Sequence, residues 1–192
     1  MAPDGVPAGR PLPRSFYDRP GPTVARALLG CRLARWVDGT WRVGRIVEVE
    51  AYVRGDPANH AFRGPTPRNR SMFAGPGTLY VYRIHQVHCA NAVTRPGEAV
   101  LLRALEPSAG PLGNARGPGR LCRALALTRA DDGSDLRRGP IRIYPREGRV
   151  GPILRSPRVG IRQAAERPLR FSIEGNAYVS LPRPGRRGRS SA

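Results

Sequence analysis

Three groups of side chains in this 192-residue chain have types and spacings that could do chemistry. In the run GRIVEVEAYV at 44–53, Glu48, Glu50 and Tyr52 alternate with Val47, Val49, Ala51 and Val53. A strand turns successive side chains to opposite faces, so the two carboxylates and the phenol share one face. Most such faces are simply solvated. Two carboxylates two residues apart repel each other, however, and a neighbouring cation or an altered pKa resolves this. The face is therefore a candidate for general-base chemistry.

The other two groups lie on the elements that must meet this strand. LYVYRI at 79–84 puts Tyr80 and Tyr82 on one face, and VHCANAV follows at 87–93. Two short strands with His85-Gln86 between them read as a hairpin with His85 at its tip, although no Asn-Gly or Asp-Gly pair marks the turn. VLLRAL at 100–105 is an apolar run with Arg103 inside it. A buried arginine needs an anion, and Glu48 or Glu50 is the partner to look for. Upstream, CRLARWV, an Asp38-Gly39 turn and TWRVGRIVEVEAYV read as a second hairpin, which delivers Glu50.

Composition bounds the partner. Arginine supplies all 33 basic residues and there is no lysine; with 14 acidic residues the net charge is +19. A preference for arginine over lysine does not explain an excess of base over acid. The excess points to a polyanion, nucleic acid first, and arginine's planar fork suits phosphate. Cys31, Cys89 and Cys122 are far apart and form no C-x-x-C pair, which fits neither a zinc ribbon nor an iron–sulfur cluster and is consistent with a reducing cytoplasm. No run approaches the ~18 apolar residues of a membrane span, and no secretory signal is evident. His85 and His88 are spaced for a helix rather than a strand, so a metal site with His60 is not expected.

Several blocks carry a resemblance: VEVEAY, H-x-x-R-G-x-TPRNR-x-MF, PGTLYVY, C-x-N, VLLRALEP and GPGRLCRALAL. Together they are similar to the alkyladenine (3-methyladenine) DNA glycosylase family, in order from about Leu28 to Leu181. The resemblance implies a monomeric enzyme without cofactor or metal. It would extrude an alkylated purine, with hypoxanthine as a further candidate substrate, from double-stranded DNA and hydrolyse the N-glycosidic bond. On this resemblance Glu50 is the general base, with Glu48 the rival. Arg103 and the backbone carbonyl of Val159 hold the attacking water. Tyr52, His60 and Tyr82 enclose the flipped base, where cation–π attraction is worth ~1–2 kcal/mol. Asn91 stands beside the pocket, and Arg63, Arg68, Asn69 and Arg70 contact DNA. His85 occupies the place of a wedge tyrosine in many relatives, followed by Gln86 rather than glycine. Without lysine, no side-chain amine can form the Schiff base used by strand-cleaving glycosylases, so the product should be an intact abasic strand.

The expected fold class is α+β: one domain with a curved, mostly antiparallel β-sheet, flanking short helices and a protruding hairpin. Residues 1–13 read as a flexible arm, 14–182 as the domain and 183–192 as a basic flexible tail. Thr23 is a candidate cap for a short helix ended by Gly30. Residues 54–78 form a long Gly/Pro/Asn-rich loop. LCRALAL at 121–127 is a short helix, and LRRGPIRIYP, RVG at 158–160, PLRFSI and AYVSL supply closing strands. Two other readings remain at this point: a non-catalytic basic nucleic-acid-binding protein on the same fold, and a hydrolase of free nucleosides, which would leave the charge unexplained.

Overall fold

A computed structural model describes residue 5 and residues 7–182. Valine, isoleucine and leucine alternating with polar residues build one antiparallel eight-stranded sheet. Its strands are β1 (Arg32–Val37), β2 (Thr40–Tyr52), β3 (Leu79–Ile84), β4 (Val87–Arg95), β5 (Glu98–Ala109), β6 (Ile141–Tyr144), β7 (Ile153–Ser156) and β8 (Arg170–Ile173). The main order is β3-β4-β5-β2-β1-β6, with β8 also on β2 and β7 on β8. Helices α1 (Arg14–Tyr17), α2 (Gly21–Leu28) and α3 (Pro118–Ala124) are short; α2 covers β2 and β5, and α3 covers β4 and β5. This is the expected α+β architecture.

The sheet is organised by β2. Its first half pairs with β1 and its second half with β8, while β5 follows its other edge with register shifts around Glu48. Such irregularities bend a strand and increase its twist, and the sheet curls at this point. Consequently both faces of β2 are covered: Val47, Val49 and Ala51 join the main core, and Glu48 and Glu50 are buried as well. The face that alternation left open between a solvated and a functional reading is interior.

Several boundaries differ from the sequence reading. Leu12 is in the core and its amide donates to the Ile143 carbonyl at 2.8 Å, so the chain is anchored before residue 14. Pro20 occupies the N-cap of α2, which has no side-chain cap, so Thr23 does not cap it. RVG and AYVSL are not strands; both lie against the buried charges of β2, where side chains and ligating amides replace ladder pairing. The expected tail 183–192 lies outside the described residues. Among the described residues no helix is long and apolar enough to cross a membrane.

Glycine is required where β5 ends. Gly110 has φ 69°, and a Cβ there would sit 1.9 Å from the Trp41 carbonyl oxygen. Gly39, in the β1–β2 turn, has φ 73° with nothing within 4 Å of such a Cβ. The left-handed conformation alone costs an L-residue roughly 1–2 kcal/mol. Gly39→Ala should therefore lower Tm by only a few degrees. Gly110→Ala adds a backbone collision and should lower it by clearly more. Equal thermal shifts for the two variants would contradict this geometry.

Candidate active site

The geometry starts with two carboxylates on one strand. Glu48 lies at the irregularity of β2, where β8 and β5 flank it. Its Oε1 accepts from Arg103 Nε at 2.8 Å, Arg170 Nε at 2.7 Å and the Ser180 hydroxyl at 2.9 Å. Its Oε2 accepts from the Ser180 amide at 2.7 Å. Glu48 therefore accepts four hydrogen bonds, three at Oε1 and one at Oε2, from two guanidiniums and Ser180. Burial by itself pushes the Glu48 carboxyl up; the Arg103 and Arg170 guanidiniums and the Ser180 bonds outweigh it and hold the pKa below 4.5.

Glu50 is differently placed. Oε1 accepts from the Val159 amide at 2.8 Å and Oε2 from the Tyr52 hydroxyl at 3.0 Å. Arg103 Nη1 stands 3.2 Å from Oε1. Two hydrogen bonds and one ion-pair contact leave acceptor capacity, chiefly on Oε2. Arg103, alone in its apolar run, thus bridges both candidate partners. Burial would lower its pKa, but Glu50 and Glu48 more than offset that and raise it. Burial, then Glu50, pushes the Tyr52 phenol up, so this hydroxyl remains a donor.

Above these charges lies a cavity of about 210 Å³. Tyr52, His60, Tyr82, Asn91, Arg103 and Val159, which the sequence singled out, all line it. Glu50 has no exposed surface and sits directly behind Tyr52, Arg103 and Val159. His60 packs edge-on against Tyr82 at 4.3 Å, and its Nδ1 is 3.1 Å from the Tyr80 hydroxyl. Burial of part of the imidazole lowers its pKa, which favours the neutral ring at neutral pH. Asn91 is buried and its amide nitrogen donates to the Tyr80 carbonyl at 3.1 Å.

A groove of about 830 Å³ shares His60, Tyr80 and Tyr82 with this cavity and is edged by Arg63, Arg68, Arg83 and Arg129. The half-exposed Phe62 also lines it. Arg70 is exposed as well. Asn69 belongs elsewhere than expected: it is buried, it donates to the carbonyls of His60 and Gly64, and it accepts from Thr66. Its side chain is fully engaged in shaping the loop, which removes it from the DNA-facing group. The hairpin tip is His85-Gln86, between the paired Ile84 and Val87. His85 is exposed with φ 50°, a conformation usually left to glycine or asparagine. Among the described residues no group of three or more His, Cys, Asp or Glu side chains could hold a metal.

Sequence reasoning missed several contributors. Tyr80, not singled out among the pocket residues, lines the cavity and holds His60. Asn59 pins the loop before His60 through the carbonyls of Val53 and Gly97 at 2.8 and 2.9 Å. Arg170 and Ser180 complete the Glu48 cluster. The period-2 run LYVYRI contained the signal for Tyr80, since it shares a face with Tyr82. Nothing local marked the others, because their partners are remote in sequence. Val159 was expected to offer its carbonyl to water; what the structure shows is its amide on Glu50.

A curled antiparallel sheet with buried carboxylates beneath an aromatic cavity and an arginine-edged groove is the framework of a DNA glycosylase. The family model for methylpurine-DNA glycosylase matches residues 15–177, and the chain belongs to that family. It is a hydrolase of N-glycosyl bonds acting in DNA base excision repair. A protein of Methanoculleus marisnigri named "Putative 3-methyladenine DNA glycosylase" is 48% identical over 88% of this chain and 98% of its own length. Proteins of the same name from Rhodopirellula baltica, 47% identical over 93% and 87%, and Rhizobium johnstonii, 44% identical over 88% and 89%, are similarly close.

The Glu48 cluster makes a stability prediction. Glu48→Gln leaves the buried Arg170 without its carboxylate and Arg103 with Glu50 alone, a loss of roughly 3–5 kcal/mol and a fall in Tm of about 10 °C at neutral pH. The folded carboxyl titrates below its ordinary 4.5, so the wild-type advantage is complete above that value and is lost as pH falls through the folded pKa. Thermal melts across pH 3 to 7 check this; a Tm gap that is absent at pH 7, or that widens in acid, contradicts it.

Proposed function

We propose that the enzyme flips an alkylated purine of the 3-methyladenine type, and hypoxanthine as a further substrate, out of duplex DNA into the 210 Å³ cavity. It acts as a monomer, and Glu50 is the general base. The observation that carries this reading is the contrast in donors around the two buried carboxylates. Glu48 accepts four hydrogen bonds, three of them from Arg170 and Ser180, which do not line the cavity, whereas Glu50 accepts two and all of its partners, Tyr52, Val159 and Arg103, line it. A water entering from the cavity takes the acceptor position left on Glu50 Oε2, loses a proton to it and attacks the anomeric carbon as the base departs. Arg103 Nη1 stands 3.2 Å from the carboxylate, whose negative charge favours an oxocarbenium-like transition state. Tyr52, Tyr82 and the neutral His60 present electron-rich rings to a cationic base, and no positive imidazole opposes it. Asn91 limits the room beside the base.

The surface supports flipping. Ile84 and Val87 are exposed on either side of His85, so the tip offers an apolar-flanked ring to the gap left in the stack. Arg63, Arg68 and Arg70 provide cations for phosphates beside the pocket. A purely binding protein would need these arginines but not Glu50 held by Tyr52, Val159 and Arg103.

Glu50→Gln should abolish single-turnover excision of 3-methyladenine or hypoxanthine while leaving affinity for abasic-site DNA within about twofold, because shape is kept and the base is lost. The wild-type product strand should stay intact until alkali treatment, since the chain has no lysine. Retained excision by Glu50→Gln, or nicking without alkali, would refute the mechanism.

An unfilled stacking gap costs a few kcal/mol, and an imidazole fills less of it than a phenol. His85→Ala is expected to lower both abasic-site affinity and excision, and His85→Tyr to raise affinity. If His85→Ala equals wild type in both assays, the wedge lies elsewhere on the hairpin.

A further inference from the structure

We propose that the buried Asp56–Arg158 ion pair is the positioning element of the active site, fixing the loop whose Val159 amide orients the Glu50 carboxylate. The inference rests on Glu50 being the general base. Both side chains are fully buried, and their partners are unusually spread. Arg158 Nη1 donates to Asp56 Oδ2 and, at 3.3 Å, to the Ala51 carbonyl; Nη2 donates to the Ala164 carbonyl at 3.4 Å. The guanidinium also lies over the Tyr52 ring, 4.7 Å from its centre. One planar group therefore touches the residue after Glu50, the phenol that donates to Glu50, and both ends of the loop from 158 to 164.

Asp56 supplies the other half. It follows β2 in a turn closed by the Asp56 amide on the Val53 carbonyl, and its Oδ1 accepts from the Ala58 amide at 3.1 Å. The chain then runs directly to Asn59 and His60. The pair thus joins the loop that carries His60 to the loop that carries Val159, and both loops line the cavity. Val159 is the residue next to Arg158, so a shift of the guanidinium moves the amide that holds Glu50 Oε1.

Energetics favour a positioning role over a stabilising one. A buried ion pair contributes little compared with apolar packing of the same volume. The arginine fork, however, fixes several acceptors in one plane, which a single ammonium cannot reproduce. Reaction geometry is sensitive at this scale, because displacements of about 1 Å can cost about a hundredfold in rate.

The test is the double variant Asp56→Asn/Arg158→Gln, which removes both charges and so leaves no uncompensated buried ion, together with Arg158→Lys. Three quantities are read on the full chain: Tm, affinity for duplex DNA with an abasic site, and the single-turnover excision rate constant at saturating enzyme. The double variant is expected to keep abasic-site affinity within about twofold while the rate constant falls about tenfold to a hundredfold. Arg158→Lys should recover only part of the rate. A merely structural pair would lower the reacting fraction and Tm but not the rate constant of the folded enzyme. A rate constant within about twofold of wild type in both variants, or a double variant that does not fold while Arg158→Lys excises at the wild-type rate, overturns the proposal. Loss of activity in Glu50→Gln is measured in parallel; if that variant stays active, the reading of Glu50 fails independently of the pair.

Discussion

The structure depends on how four charges are compensated without water. Glu48, Glu50, Arg103 and Arg170 are all buried near the point where β2 leaves β1 and meets β8. An isolated buried ion is prohibitively costly, so each must find its partner with good geometry. Arg103 joins the two carboxylates, Arg170 neutralises Glu48 a second time, and Ser180 completes it with a hydroxyl and an amide. The closing segments of the fold are therefore bound to β2 through charge as well as through apolar contact.

That compensation divides the labour between residues two positions apart. Glu48 accepts four hydrogen bonds, from Arg103, Arg170 and Ser180, and binds the closing segments to β2. Glu50 is held by fewer donors, each from a different element: Tyr52 on β2, Arg103 on β5 and Val159 on the loop after β7. The same burial that protects the cluster removes Glu50 from bulk solvent and strengthens every electrostatic interaction around it. The cavity wall and the proposed general base are thus one assembly, and on that proposal the aromatic groups in front of it recognise the flipped purine.

Much of this could be read from residue order. The alternation of β2, β3 and β4 and the Asp38-Gly39 turn are local signals, and all three strands form as they indicate. Arg103 stood out because a charge inside VLLRAL demands an anion. The hairpin tip at His85 followed from two short runs with two residues between them. What escaped depended on long-range partners. Alternation left open whether the face of Glu48 and Glu50 is solvated, because β8 and the segment carrying Ser180 cover it from more than 120 positions away. Asp56 and Arg158 are 102 residues apart and have no local signature. Asn69 lay in a motif rich in cations and was grouped with them; its short amide instead bonds the loop backbone.

The central claim is that the donors around each carboxylate, four hydrogen bonds enclosing Glu48 against three cavity-lining contacts on Glu50, separate the structural carboxylate from the catalytic one. The direct measurement is the excision rate constant per folded molecule for Glu48→Gln and Glu50→Gln, compared at a temperature well below both melting points. The account predicts that Glu48→Gln, though thermally weakened, retains substantial excision, whereas Glu50→Gln is thermally closer to wild type and inactive. The reverse pattern, an inactive but stable Glu48→Gln beside an active Glu50→Gln, would contradict it.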